Sequence, residues 1–482
     1  MIDHLRREWL LLRADRNLWM LALLFCGLAA FAVVNGASWR RVQQQTLATL
    51  RSEEAGRLDS LDGVLQRLAR GDTTGVTPFN DPRSPAVAGR SVATRWMLLP
   101  PLPLGALAVG QSDLHPYFVR VSTADRQTAV VNEEIENPVV LLAGRLDLAF
   151  VILVLFPLFI LALTYDVLSA ERERGTMALI ASQPVNAQRV ILTKLAVRAG
   201  AVVVLALLVS VGAAAATGAS LLSAAQGARL AWWCAIVLAY GLFWFVVALA
   251  VNARGASSAS NAVTLLGVWF ALVIVVPSLV SNGIAAAYPV PPRLALVTAM
   301  RDVQNDVAAS APRRADALSE FLAEHPRYQG ATKADTSDPQ VAAIASANLL
   351  EARLRPMFTS FDAQLRARQD AAARLRFLSP VLVAHGALLD AAGTSGRRWR
   401  QFEDAWIAFH DAWRTFINDK VFAGTTLTRS DLAAAPVPAF NDEPLRSLSS
   451  SLALSALALL VPSLLLALWS VRTLRVTRAR AG

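Results

Sequence analysis

Six stretches of almost unbroken apolar residues organise the chain: Leu18 to Asn35, Leu148 to Thr164, Leu195 to Thr217, Leu230 to Val251, Ala262 to Ser281 and Leu452 to Val471. Runs of about 20 apolar residues are long enough to cross a hydrocarbon core of roughly 30 Å as helices. The polar remainder falls into short connections and two long insertions, 36–147 and 282–451. The pattern predicts an all-α polytopic membrane protein with six transmembrane helices and two mainly helical periplasmic insertions, the first α with a little β and the second α.

Each insertion has its own periodicity. Ser38 to Arg70 lacks proline and carries Leu58, Leu61, Leu65 and Leu68 at three-four spacing, which predicts a stalk helix packed on a partner. Gly71 to Pro85 breaks it, and the run from Trp96 to Gly105 reads as a proline-punctuated apolar loop. Phe118 to Val121 and Thr128 to Val131 alternate as short strands. In the second insertion, helices are predicted over Leu294 to Ala308, Ala315 to Glu324, Gln340 to Phe377 with a kink at Pro356, and Trp399 to Phe422. Pro380, Gly386, Gly393 and Gly396 read as turns between them. Trp399, Phe402, Trp406, Phe409, Trp413 and Phe416 recur every three or four residues, the signature of a core face rather than a ligand cage.

The first 17 residues place Leu5, Trp9, Leu12 and Arg16 at helical spacing. Such a segment lies in the membrane interface or serves as the charged flank of a signal anchor. The long apolar run that follows disfavours a cleaved signal.

Charge then fixes an expected orientation. The chain is 482 residues long and 55% hydrophobic, with a net charge of +10. With the N-terminus placed in the cytoplasm, the inner segments 1–17, 165–198, 252–261 and 472–482 hold 14 Arg/Lys against 6 Asp/Glu. Segment 36–147 holds 12 of each sign, and 282–451 holds 19 basic against 18 acidic residues. The basic excess therefore follows the positive-inside rule, with anionic membrane lipids as counter-charge. It is split among membrane flanks and offers no groove for nucleic acid. The expected location is the bacterial inner membrane, with both termini cytoplasmic.

The chain lacks the parts of several enzyme classes. Its three lysines, Lys194, Lys333 and Lys420, follow no phosphate-cradling glycine loop. Five histidines, His4, His115, His325, His385 and His410, stand singly, with only His385 and the His410-Asp411 pair open to meeting in the fold as a metal site. Serine-nucleophile signatures are absent from the sequence. Cys26 and Cys234 lie inside spans, so the insertions fold without disulfides. Apart from Arg198 near one end, the spans carry no ionisable residue, which disfavours proton-driven transport.

One cytoplasmic stretch stands out, Tyr-Asp-Val-Leu-Ser-Ala-Glu-Arg-Glu-Arg-Gly-Thr at 165–176. Arg172, Arg174, Arg189 and Lys194 enforce topology on one reading. On the other, Glu171 and Glu173 mark a docking element, with a short helix starting at Gly175-Thr176, carrying Met177, Leu179 and Ile180, and ending before Pro184.

Tyr165-Asp166, the run Glu171 to Thr176 and the Leu-Ile-x-Ser-x-Pro stretch at Leu179 to Pro184 resemble the loop after the second span in type-2 ABC transporter permeases. The six spans, amphipathic N-terminal segment and inner termini fit the same family. The insertions resemble a bacterial subfamily catalogued mainly as a domain of unknown function, through Gly110-Gln111-Ser112-Asp113-Leu114, Asn137-Pro138, Gly144-Arg145-Leu146-Asp147, Phe361-Asp362, Ser379-Pro380 and Ala392-Gly393-Thr394.

The resemblance implies a non-enzymatic permease subunit. Glu171, Arg172, Glu173, Gly175 and Thr176 become its ATPase-coupling residues, in a coupling loop over 165–194. Its expected partners are two copies of an ABC ATPase, which hold ATP and Mg, a second permease, identical or paralogous, and a periplasmic protein. No cofactor is expected in this chain. The alternative is a mechanotransmission subunit, in which ATP turnover moves the insertions and nothing crosses the spans.

Overall fold

The computed structural model describes residues 8–10, 12–110, 112–124, 146–176, 187–220, 223–310, 314–329 and 339–479. The expected strand at Thr128 to Val131, the stretch from Met177 to Pro184, and Gln111, Asn137-Pro138 and Gly144-Arg145 lie outside these residues.

Six helices among the described residues are long and apolar enough to cross a membrane. They are α1 (Arg16–Ala69), α2 (Leu148–Glu173), α3 (Ala187–Ala216), α4 (Ala224–Ala253), α5 (Ser258–Ala287) and the last helix, α11 (Leu445–Ala479). Between α5 and α11 come α6 (Arg293–Ser310), α7 (Arg314–Glu324), α8 (Pro339–Leu375), α9 (Pro380–Ala392) and α10 (Gly396–Phe422). Helix α4 is the axis of the bundle: 72% of its most apolar window is buried, against 11% for α5. Its Trp233, Tyr240 and Trp244 are fully enclosed, and it packs against α2, α3, α9 and α11.

Two spans contain a wide π turn followed by proline, Val151–Leu155 before Pro157 and Ala271–Val275 before Pro277. A proline supplies no N–H to the carbonyls one turn before it, and hydrocarbon supplies no water, so neighbouring side chains must donate. They do. Tyr240 Oη donates to Leu153 O at 2.7 Å, Trp269 Nε1 to Val154 O at 3.2 Å, and Ser379 Oγ to Leu272 O at 2.8 Å.

The last of these bonds belongs to an element that the sequence reading took for turns. Residues 380–392 form helix α9, a largely apolar thirteen-residue helix packed into the membrane-bundle core, with Val383, Ala384, Ala387 and Leu388 buried. Pro380 occupies the first turn, where its missing N–H costs nothing. Thirteen residues rise only about 20 Å, so α9 enters the bundle without crossing it.

Helix α1 runs unbroken for 54 residues, about 80 Å, from the bundle into a head domain. Where it leaves the bundle, Gly36 meets the chain at Ala106, in the proline-punctuated stretch of the first insertion. A side chain there would start 1.9 Å from Ala106 O, so only glycine permits this approach. The loop is closed onto α2 by Asp147, whose carboxylate caps Phe150 N at 2.8 Å and accepts from Val109 N and Gly110 N. Burial pushes the Asp147 carboxyl up, and these amide bonds and nearby His385 oppose the rise.

The head domain draws on both insertions. Strands β1 (Arg95–Leu98) and β2 (Phe118–Val121) pair antiparallel, with Met97 opposite Val119. Trp96 to Leu98 are thus strand rather than loop, because the segment at 118–121 supplies the missing ladder partner. Leu61 and Leu65 of α1, Met97, Val119, and Phe402, Trp406 and Trp413 of α10 share one hydrophobic core. Hydrogen bonds from Trp413 Nε1 to Gly89 O, Trp399 Nε1 to Pro116 O and Leu427 N to Arg83 O stitch the two insertions together. His410 sits in this core, whereas His385 lies on α9 in the bundle, so the two do not converge on a metal.

Candidate functional site

The charged stretch lies at the end of the bundle opposite the head. After Thr164, α2 loosens into a turn and closes with a short helical segment, Ser169–Glu173. The two glutamates lie on the segment that Gly175 ends, and the short helix expected from Gly175-Thr176 onward falls on residues outside those described. Gly175 ends the segment with φ +72°, a left-handed conformation that glycine adopts without penalty.

The carboxylates fasten this segment to two other helices, Glu171 to α3 and Glu173 to α5. Glu171 Oε1 accepts from Lys194 Nζ of α3 at 2.6 Å, and the same ammonium lies 3.7 Å from Glu8 Oε1 of the N-terminal segment. The one Thr176 hydroxyl hydrogen is shared between the Glu171 carboxylate and, at 3.1 Å, the Glu171 carbonyl. Glu173 accepts from the Ser258 N–H at 2.7 Å and the Ser258 hydroxyl at 2.9 Å. Ser258 opens α5, so Glu173 satisfies one of the amides that a helix start leaves without a partner. A carboxylate at that end also complements the helix dipole.

Beneath the glutamates a buried polar seam continues the attachment. The Ser169 and Ser258 hydroxyls bond at 2.8 Å, and with the Ser258 hydrogen committed to Glu173 the Ser169 hydroxyl is the donor. Asn252 at the end of α4 donates to Thr164 O at 3.0 Å and accepts from Leu168 N at 3.4 Å. Asn261 of α5 reaches Tyr165 O and Asn252 Oδ1. Asn252 and Asn261 are both almost completely enclosed. A seam of this kind holds one geometry because leaving any member unpaired in an apolar surround is costly.

Arg172 and Arg174 are exposed, with the Arg172 guanidinium against Gly255 in the turn between α4 and α5. The five sequence-predicted residues thus separate into Glu171, Glu173 and Thr176, whose side chains bond within this chain, and an exposed Arg172 beside the terminating Gly175. Sequence reading missed Lys194 as the partner of Glu171, and missed Ser258, Asn252 and Asn261 altogether. The only sequence signal for the last three was Ser257-Ser258 ahead of an apolar run, an N-cap pattern. Arg198, the lone charge assigned to a span, lies at this same end, donating to Leu163 O at 2.8 Å and pairing with Asp166 at 3.3 Å.

Among the described residues, no group of three or more His, Cys, Asp or Glu side chains is placed to hold a metal. No curated protein and no solved structure matches the chain. One family model does match, over residues 293–441, and is described as Domain of unknown function (DUF3526). The matched stretch begins at the start of α6 and ends beyond α10, so the match falls between the fifth and sixth apolar helices.

Proposed function

We propose that this chain is the transmembrane permease subunit of an ATP-binding cassette transporter in the bacterial inner membrane. A separate ATPase subunit, in two copies with ATP and Mg, closes on nucleotide and pushes on the element from Ser169 to Thr176. A second permease, identical or paralogous, completes the pathway. The observation that carries this reading is the fastening of that element to α3 through Lys194 and to α5 through Ser258. A force applied at its exposed arginines would reach the spans directly.

The test is isolation of the protein from its native membrane in mild detergent. A co-purifying ATP-binding subunit is expected, with turnover that falls when Glu173→Arg is introduced and membrane insertion unchanged. Extracts that never yield such a subunit, or full turnover in the variant, would remove the element from the mechanism.

A second reading is favoured by α1, which passes without a break from the bundle to Leu61 and Leu65 in the head-domain core. A rigid rod of this kind suits a mechanotransmission subunit that moves a periplasmic domain while nothing crosses the spans. Cysteine labelling between the spans separates the two: reactivity that changes with nucleotide favours transport, and constant protection with a moving head favours mechanotransmission.

A further inference from the structure

The head domain contains a cavity of about 460 Å³ between α7, α8 and α10. That volume is in the range of small-molecule sites. Its floor is polar and internally compensated. Arg414 Nη2 donates to Asn348 Oδ1 at 2.7 Å, and Arg414 Nη1 lies 3.3 Å from Glu351 Oε2. Asn348 and Asn418 exchange hydrogen bonds at 3.0 Å. Glu351 and Arg414 are almost fully buried, so the floor is rigid and has no net charge.

The rim is different. Arg355 and Asp411 lie 3.5 Å apart with side chains 61% and 48% exposed. Such a solvated pair contributes little by itself and can regroup around a ligand. The His410 side chain, ahead of the Arg355 charge, holds the Asp411 carboxyl below its ordinary range, so Asp411 is ionised near neutral pH. Ala352, also on the lining, precedes Pro356 by one helical turn, and the proline has no N–H to offer its carbonyl. Phe321, His325 and Tyr328 add an aromatic side to the same cavity: His325 stacks on Phe321 with centroids 4.2 Å apart, and Tyr328 lies 5.9 Å from Phe321.

One guanidinium, one carboxylate and one proline-freed carbonyl beside a ring-lined wall complement a particular ligand chemistry. We infer that this cavity binds free α-amino acids with large apolar side chains. The ligand carboxylate pairs with Arg355, its ammonium with Asp411 and the Ala352 carbonyl, and its side chain lies against the aromatic wall. The balanced charge disfavours nucleotides and other polyanions. The inference does not depend on the permease reading, since the cavity and the charged element belong to opposite ends of the molecule.

The experiment is titration calorimetry of the full-length protein in detergent with each of the twenty L-amino acids, followed by the N-acetyl and methyl-ester forms of the best binder. Saturable binding is expected for one or more of Leu, Met, Phe, Tyr and Trp. Blocking either charged end, or introducing Arg355→Ala, is expected to weaken it by at least about tenfold, because each removes a charge-assisted contact. The melting temperature without ligand should not change, because Arg355 is exposed. No binding at millimolar concentration, equal binding of the blocked forms, or binding of a neutral sugar in place of amino acids would overturn the inference.

Discussion

Glu173 accepts two hydrogen bonds from one residue, Ser258, through the backbone N–H and the hydroxyl at 2.7 and 2.9 Å. The residues are 85 positions apart in sequence, and the contact makes the end of α2 and the first turn of α5 one mechanical unit. Replacing both by cysteine in a background without Cys26 and Cys234 is expected to give a disulfide in native membranes. Formation is read by mobility of the protein after protease cleavage between the two sites. A pair that stays reduced under mild oxidant would show that the glutamate does not hold α5.

Tyr240 serves the bundle in a similar way, by donating to Leu153 O in the π turn ahead of Pro157. Tyr240→Phe keeps the ring and removes the donor. Hydrogen bonds between helices in a folded membrane protein are worth about 0.6 kcal/mol on average and up to about 1.7 kcal/mol. The expected result is a loss of that size in steric-trap or denaturant unfolding. Adding Pro157→Ala should recover part of it, because the alanine N–H restores a helical donor. No loss in the single variant, or no recovery in the double, would mean that the carbonyl is satisfied from elsewhere.

The six spans, the stalk and the aromatic stripe were legible because each repeats one residue class at a period set by the helix. Phe402, Trp406, Phe409 and Trp413 are buried as their spacing implied. Helix α9 was not legible, because Pro380, Gly386 and Gly393 punctuate it as they would a loop and its thirteen residues are too few to read as a span. Its helicity comes from burial among α4, α11 and the π turn of α5, which no local pattern reports. Strand β1 was missed for the same reason, since its partner lies beyond a proline-rich loop. At the charged element the charges were legible and their direction was not. Glu171 depends on Lys194 and Glu173 on Ser258, and both contacts arise only from how the helices pack.

Asp431 gives the head domain a defined acid response. The Lys420 ammonium at 2.6 Å and the Thr428 hydroxyl and amide hold its carboxyl down to about 2. An unfolded aspartate titrates near about 3.9. A depressed folded value means that the stabilisation is fully present above the unfolded pKa and is lost as pH falls through the folded one. Hydrogen exchange at the capping box from Thr428 to Asp431 should therefore rise as the pH drops from about 4 toward about 2, after correction for intrinsic rates. Asp431→Asn should show raised exchange throughout and no such transition. A wild-type profile flat over that window would count against the pairing.

Trp413 decides whether the two insertions behave as one body. It is fully buried, and its indole donates to Gly89 O, so one side chain of the second insertion supports a turn of the first at 3.3 Å. Removing a buried aromatic of this size costs about 3–5 kcal/mol. If the core is shared, Trp413→Ala should expose 83–98 and 399–422 to protease together, while the apolar helices stay protected in the membrane. The loss should appear as one cooperative transition, because Leu61, Met97 and Phe402 pack in the same cluster as Trp413. Cleavage confined to 399–422, with 83–98 still resistant, would mean that the first insertion folds on its own and that α1 could not carry motion into the second.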